Sequence, residues 1–280
     1  MSFLPISVCI PVKNEEKNLP DCLRSLGDAF CEVIVVDSGS TDQTRQIAEA
    51  AGATVLNFCW NGHFPKKRNW VLQTHGFRNP WVLFLDADER LTPDVIHEFR
   101  AKIPQSTEVG YWLTFTNWFM GQPLRHGDIF KKLALFRTDA GQYEQFPESW
   151  WSHLDMEVHE HPVLSGPTGQ MQSRLEHHDY RGLSHYIAKH NEYSTWEANR
   201  YRWLQSAPKE ALEVMTSRQR FKYRHLERGW LPWLYFLTSY VLKRGFLDGR
   251  AGWVFAKMKF RYFEEIRLKI REQTAKDSLR

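Results

Sequence analysis

Apolar and polar positions follow two regimes along this chain. From Ile6 to Arg137, short apolar runs alternate with stretches of helical spacing, the pattern of a mostly parallel sheet covered by helices. Ile6–Val12 reads as a first strand, running into Pro11-Val12-Lys13-Asn14-Glu15, after which Leu19, Leu23 and Leu26 recur at helical spacing. Glu32–Asp37 is a fully buried second strand, and Ser38-Gly39-Ser40-Thr41-Asp42 a polar turn in which Thr41 or Ser40 caps a helix running to Ala51. Ala53–Phe58 alternates as a third strand, Lys66–His75 is a helix, and Trp81–Leu85 is a buried strand closed by Asp86-Ala87-Asp88-Glu89-Arg90. Thr92 followed by Pro93 announces a capped helix, and strands resume at Tyr111–Phe119 and Lys132–Arg137.

Beyond Trp150 the periodicity changes. A histidine-dense stretch, His153–His185, gives way to helical spacing over nearly all the remainder. The expected organisation is therefore α/β, with a catalytic domain at 1–182 and a helical, basic and aromatic module at 183–280, its tail beyond Ala207 set apart by Pro208. Charge sharpens the division. Residues from Arg200 onward carry 19 Lys and Arg against 8 Asp and Glu, whereas residues 1–199 carry 18 against 25. The twelve tryptophans exceed what a core of this size needs and point to aromatic surface that meets a partner.

Cys9, Cys22, Cys31 and Cys59 show no Cys-x-x-Cys spacing and read as reduced, structural thiols of a cytoplasmic protein. Met1–Pro11 has no basic segment leading into a long apolar one, and Gly229–Leu242 is shorter than a spanning helix needs, so the expectation is a soluble or peripheral protein.

The candidate chemistry lies at strand ends, because ligands of open α/β sheets bind there. Asp37 and Asp86-Ala87-Asp88 occupy such ends. Carboxylates that close a strand can flank a divalent cation and a phosphate, and their oxygens suit Mg²⁺ or Mn²⁺; the plainer alternative is that they serve only the following turn. By themselves Lys66, Lys67 and Arg68 read as the solvated start of a helix, and Glu15 as a helix-terminal charge.

Four segments occur together in a telling order: Pro11-Val12-Lys13-Asn14-Glu15, Val35-Val36-Asp37-Ser38-Gly39-Ser40-Thr41-Asp42, Lys66-Lys67-Arg68-Asn69 and Leu83-Phe84-Leu85-Asp86-Ala87-Asp88-Glu89. In order and spacing this chain resembles the inverting family 2 glycosyltransferases of GT-A fold, over residues 5–160. The resemblance implies that Pro11 and Glu15 border a nucleotide pocket, that Asp37 bonds the base, and that Arg68 and Asn69 contact ribose and phosphates. It also implies that Asp86 lies near the ribose or base and that Asp88 is the direct metal ligand. A Val-His-Glu element of similar members maps the general base onto Glu160, with Glu157 and Asp155 as alternatives. His178 or His159 completes the metal shell or meets the diphosphate, and no Cys/His spacing matches a zinc site.

The implied reaction is transfer of a single sugar from a nucleotide-sugar, a UDP-hexose, to a membrane-proximal saccharide or lipid-linked acceptor in surface polysaccharide or lipopolysaccharide synthesis. Asn199-Arg200-Tyr201-Arg202-Trp203 lacks the Gln of the Gln-x-x-Arg-Trp element found in processive members, which favours single transfer. The segments Gly229–Leu237, Lys243–Arg250 and Trp253–Phe263 read as an anchor on an anionic membrane at its cytoplasmic face, or as a homo-oligomer interface. No nucleic-acid-binding signature accompanies these basic residues. The competing readings are a noncatalytic membrane scaffold with a vestigial pocket and a nucleotidyltransferase, although residues 11–18 lack the glycine-rich loop that the latter needs.

Overall fold

A computed structural model of the protein describes residues 2–145, 155, 161–179, 181–207 and 215–278. The chain divides into two compact units, residues 1–117 with 129–179, and 118–128 with 180–280. The second unit thus takes in a short segment, 118–128, that the hydrophobic pattern alone leaves with the first.

In the first unit, β1 (Leu4–Val12) lies between β2 (Phe30–Asp37) and β4 (Trp81–Phe84), all parallel, and β3 (Thr54–Asn57) lies outside β2. Central parallel strands are covered on both faces and so read as unbroken apolar runs; every residue of β1 except Pro5 is buried. One face packs Ile6, Val8 and Ile10 with Leu83, Phe99 and Leu135, and the other packs Cys9, Ile34 and Val36 with Phe84 and Phe136. The helices on these faces are α1 (Leu19–Leu26), α2 (Thr44–Ala50), α3 (Lys67–Thr74) and α4 (Pro93–Lys102). Thr92 caps α4 by accepting from the Val95 N–H, as its position before Pro93 implies. Ser40 and Thr41 do not cap α2; Asp42 accepts from the Thr44 N–H instead, and the other two bind the loop after β1. None of the four cysteines forms a disulfide.

The sheet continues as β8 (Phe130–Arg137), antiparallel to both β4 and β6 (Gly110–Phe119), then β11 (Thr168–His177) and the two-residue β5 (Glu89–Arg90). β7 (Gln122–Leu124) pairs with β6, giving nine strands in this sheet among the described residues. β11 escapes sequence reading because only Met171 and Leu175 of its ten residues are buried. Its pairing with β5 places His177 opposite Glu89, directly beside the Asp86-Ala87-Asp88 turn. A small second sheet joins β9 (Gly141–Tyr143) to β10 (Pro162–Leu164). Gly141 is required there, since a Cβ at this position would stand 2.0 Å from the Val163 carbonyl oxygen.

The second unit is helical: α5 (Leu183–Ser206), α6 (Ser217–His225), α7 (Leu231–Leu237) and α8 (Gly249–Ser278). Ala198, Leu204, Tyr223, Leu226, Leu231, Phe263, Ile266 and Ile270 form its core, so α5 and the tail beyond Ala207 share one interior. Glu197 is buried on α5, where it accepts from Lys222 Nζ at 2.8 Å and from the Tyr223 hydroxyl at 2.7 Å. No described helix is long and apolar enough to cross a membrane.

Candidate active site

The carboxyl ends of β1, β2 and β4 deliver their loops to one edge of the sheet. Pro11 is buried at the end of β1 opposite Val36, and Asn14 turns the chain with a left-handed φ of 57°. Its side-chain oxygen accepts from the Thr41 N–H, while its own N–H donates to Ser40 Oγ. Glu15 is fixed by its N–H, which donates to Thr44 Oγ1, and by its carboxylate, which accepts from Asn18. Asp37 is 4% exposed and accepts from both the N–H and the hydroxyl of Ser40. The β1 and β2 loops are thereby locked together around the Asp37 carboxylate.

Lys66, Lys67 and Arg68 are not the solvated helix start that a run of basic residues suggests; all three are buried. Lys67 Nζ donates to the Val12 carbonyl at 3.1 Å and faces the Asp155 carboxylate at 3.3 Å. Burial pushes the Lys67 ammonium below its ordinary pKa against the opposing pull of Asp155. Burial acts to raise Asp155, but Lys67 and Ser38 outweigh it and hold the carboxyl below the usual range. Asp155 is thus a carboxylate anchored by Lys67.

Asn69 differs from expectation. It is fully buried, its amide donates to the Tyr143 carbonyl at 3.0 Å, and its oxygen accepts from the Tyr143 N–H at 2.9 Å. The side chain imitates a strand neighbour for β9 instead of facing a ligand.

Asp86 stands between two cations: Oδ1 accepts from Arg68 Nη2 and Oδ2 from Lys132 Nζ, each at 2.7 Å. Burial acts to raise its pKa, yet Lys132 and Arg68 together hold it far below the usual carboxylate range. Lys132 also donates to Glu89, a completely buried residue whose carboxylate accepts from the Asp86 N–H at 2.8 Å. Burial first, and then the neighbouring carboxylates Asp86 and Asp88, lift Glu89 to about 7 against the pull of Lys132 and His177.

Asp88, His177 and Asp179 present ligand atoms that all lie within 4.8 Å of one another. The imidazole in this group belongs to His177, not to the expected His178. Alternate residues of an extended chain share a face, so His177 and Asp179 turn toward Asp88, while the His178 ring bonds Glu176 at 2.9 Å. His178 still contributes its main-chain N–H, which donates to the Asp88 carbonyl at 2.7 Å. His177 Nδ1 lies 2.9 Å from Asn117 Oδ1 and its ring stacks on Phe130. With Nδ1 donating to that oxygen, Nε2 keeps its lone pair toward Asp88, the arrangement in which a metal-binding histidine is oriented by its second nitrogen. Two carboxylates and one imidazole fit Mn²⁺ or Mg²⁺, the former accepting the nitrogen donor more readily.

Glu157, His159 and Glu160 lie outside the described residues. The residues that sequence reasoning missed are Lys132, Asp179 and Asn117, while His177, one of the candidate histidines, stood behind His178 and His159. The Lys131-Lys132 pair, just ahead of the apolar run Leu133–Phe136 in the same strand, is the signal that could have drawn attention to Lys132.

The chain is 37% identical over 106 residues to a TPR repeat-containing protein of Synechococcus elongatus, a match covering 38% of this chain and 26% of that one. It is 29% identical over 205 residues to the lipopolysaccharide core biosynthesis glycosyltransferase LpsC of Rhizobium meliloti, covering 70% and 71%. Among solved structures it is similar to glucosyl-3-phosphoglycerate synthase from Mycobacterium tuberculosis in complex with Mn²⁺, UDP and glucosyl-3-phosphoglycerate, at 25% identity and a TM-score of 0.31, over 41% of this chain and 44% of that one. The chain therefore spans about a quarter of the first of these proteins and under half of the last. Residues 7–153, which contain the loops after β1, β2 and β4, match the description "Glycosyl transferase family 2", and the chain belongs to that glycosyltransferase family.

Proposed function

We propose that this protein transfers a single hexose, with inversion, from a UDP-sugar to a hydroxyl of a saccharide or lipid-linked acceptor at the cytoplasmic face of a membrane. The observation that carries the reading is the Asp88–His177–Asp179 cluster beside the ionised, doubly paired Asp86, in a family 2 chain. The likeness to an enzyme named for lipopolysaccharide core synthesis supports a cell-surface saccharide as acceptor.

Each described residue then has a physical task. Asp37, already oriented by Ser40, accepts hydrogen bonds from the base, and the interlocked loops of Asn14 and Glu15 form the wall of its pocket. Asp86, kept ionised by Lys132 and Arg68, accepts from the ribose. Asp88, His177 and Asp179 hold a divalent cation, and Asn117 keeps the His177 nitrogen available to it. When bound, that cation offsets the negative charge that develops on the departing diphosphate. Inversion requires a base on the opposite side of the sugar; Glu160, with Glu157 as the alternative, takes this role.

Calorimetric titration with a panel of nucleoside diphosphates, with and without Mn²⁺, tests the reading. UDP is expected to bind in a metal-dependent manner, and Asp88→Ala to abolish that dependence while circular dichroism stays unchanged. If no diphosphate binds under any condition, the donor site is wrong and the noncatalytic scaffold takes its place.

A further inference from the structure

Outside the sheet edge, the largest unexplained feature is the surface of the second unit formed by α7, the turn after it and the start of α8. Trp233, Leu234, Leu237, Val241, Leu242 and Phe246 are between 38% and 75% exposed, Leu242 the most, and Trp253 joins them at 45%. Single exposed apolar residues are ordinary, but a continuous set is not. Ring contacts make this set continuous: Trp233 lies against Phe236 and Phe260, Trp253 against Phe236 and Tyr240, and Tyr240 against Phe246.

The backbone raises the apolar tip deliberately. α7 runs into a wider π turn over Thr238–Leu242, and Arg244 then adopts φ 58°, which reverses the chain into a 3₁₀ turn at Gly245–Asp248. Gly245 sits so close to Ser239 that a Cβ would stand 2.7 Å from its carbonyl oxygen, which fixes the reversal. Val241, Leu242, Phe246 and Leu247 are left outward, with exposed Lys243 and Arg244 between them and Arg250 and Lys257 nearby.

Charge decides what covers this face. From Gly229 to Phe260 the chain has five basic residues and one acidic residue, Asp248; Lys243 and Lys259 pair with Asp128 of the same unit, which leaves Arg244, Arg250 and Lys257 as the exposed basic rim. Asp248 is turned inward, accepting from the His126 ring and from the N–H groups of Arg125 and His126. A second copy placed symmetrically on the face would bring like charges together, since a two-fold interface uses the same patch twice. An anionic bilayer offers the complement to both features: hydrocarbon for leucine and phenylalanine, headgroup level for tryptophan and tyrosine, and negative charge for the basic rim.

We propose that the ridge of Trp233, Leu242, Phe246 and Trp253, rimmed by Arg244, Arg250 and Lys257, inserts into the interface of an anionic lipid bilayer. This stands apart from sugar transfer, because the ridge and its charges belong wholly to the helical unit. The test is cosedimentation of the full chain with vesicles of phosphatidylcholine alone and of phosphatidylcholine with phosphatidylglycerol, without nucleotide. Binding is expected only to the anionic vesicles and is expected to weaken with salt. Leu242→Glu is expected to reduce it more than tenfold, and Arg250→Gln by roughly fivefold, the share of one basic residue near such a surface. Circular dichroism should be unchanged in both variants, whose side chains are exposed. Equal binding to neutral vesicles, binding indifferent to both substitutions, or no binding would each overturn the proposal. So would concentration-dependent dimerisation that Leu242→Glu abolishes, which would assign the ridge to a second copy.

Discussion

The two units treat charge and apolar surface in opposite ways. At the sheet edge of the first, Lys67, Arg68 and Glu89 are buried, Asp86 and Lys132 are partly buried, and all five are bonded to one another or to main-chain groups. On the ridge of the second, large apolar side chains face water and the charges stand at the rim. Neither choice favours stability: buried ion pairs commonly do no better than an apolar replacement, and exposed leucine and tryptophan forgo burial. On the two proposals made above, both are fixed surfaces that await a partner, a polar and anionic ligand in one unit and an apolar, anionic sheet of lipid in the other.

The largest effect expected on this contrast comes from Lys132→Ala. Asp86 would keep Arg68, but the completely buried Glu89 would lose its cation. Removing one partner of a buried pair typically costs about 3 kcal/mol, so thermal or urea denaturation should show a loss of that order. Lys132→Met combined with Glu89→Gln should recover part of it. A loss below about 1 kcal/mol, the scale of an exposed pair, would show that this edge is as wet as a surface.

Next comes Asn69→Ala, which leaves the Tyr143 N–H and carbonyl without their side-chain partner in the interior. About 2 kcal/mol of stability should be lost, the scale of unsatisfied buried polar groups, while affinity for a nucleoside diphosphate stays within about twofold of the parent. Asp37→Asn should do the reverse, weakening the nucleotide and leaving the melting temperature nearly unchanged. Swapped results would restore Asn69 to the ligand side.

These two residues show what a sequence can reveal. The strands that carry the site are legible because burial on both faces makes β1, β2 and β4 unbroken apolar runs. Asp37 and Asp86-Ala87-Asp88 are legible because they close such runs. Asn69 adjoins a legible segment, yet its task depends on β9, seventy-four positions away in the chain. His177 and Asp179 are brought to Asp88 by the pairing of β11 with β5, two strands with so few buried apolar residues that no periodicity betrays them. The ridge was legible as composition, but its continuity depends on the π turn and on the left-handed Arg244.

A smaller effect tests the first unit away from its site. Glu98 on α4 accepts from Lys102 and from the N–H groups of Gln172 and Ser173, which clamp β11 to the helix. Burial acts to raise its pKa, but these bonds outweigh it and bring the group from 4.5 to about 2. A depressed carboxyl stabilises the fold fully above its unfolded pKa and ceases to do so as the pH falls through the folded one. Glu98 therefore supports β11 above about 4.5 and loses that support by about 2. Hydrogen exchange of the Gln172 and Ser173 amides should accelerate across that window in the parent beyond the intrinsic change, and Glu98→Gln should remove the added acid dependence.

The smallest expected change is the sharpest check on the second unit. Trp253→Ala alters an exposed ridge residue whose ring neighbours, Phe236 and Tyr240, remain packed on each other. Stability should move by no more than about 0.5 kcal/mol, as for substitutions outside a core, although tryptophan is the largest side chain and its loss removes apolar area. If the ridge were a loosely packed extension of the core of Leu231, Phe263 and Ile266, the same change would cost several times more and lower the melting temperature plainly. A near-zero shift accompanied by weaker vesicle binding would mean that this tryptophan serves the surface it faces rather than the fold that holds it.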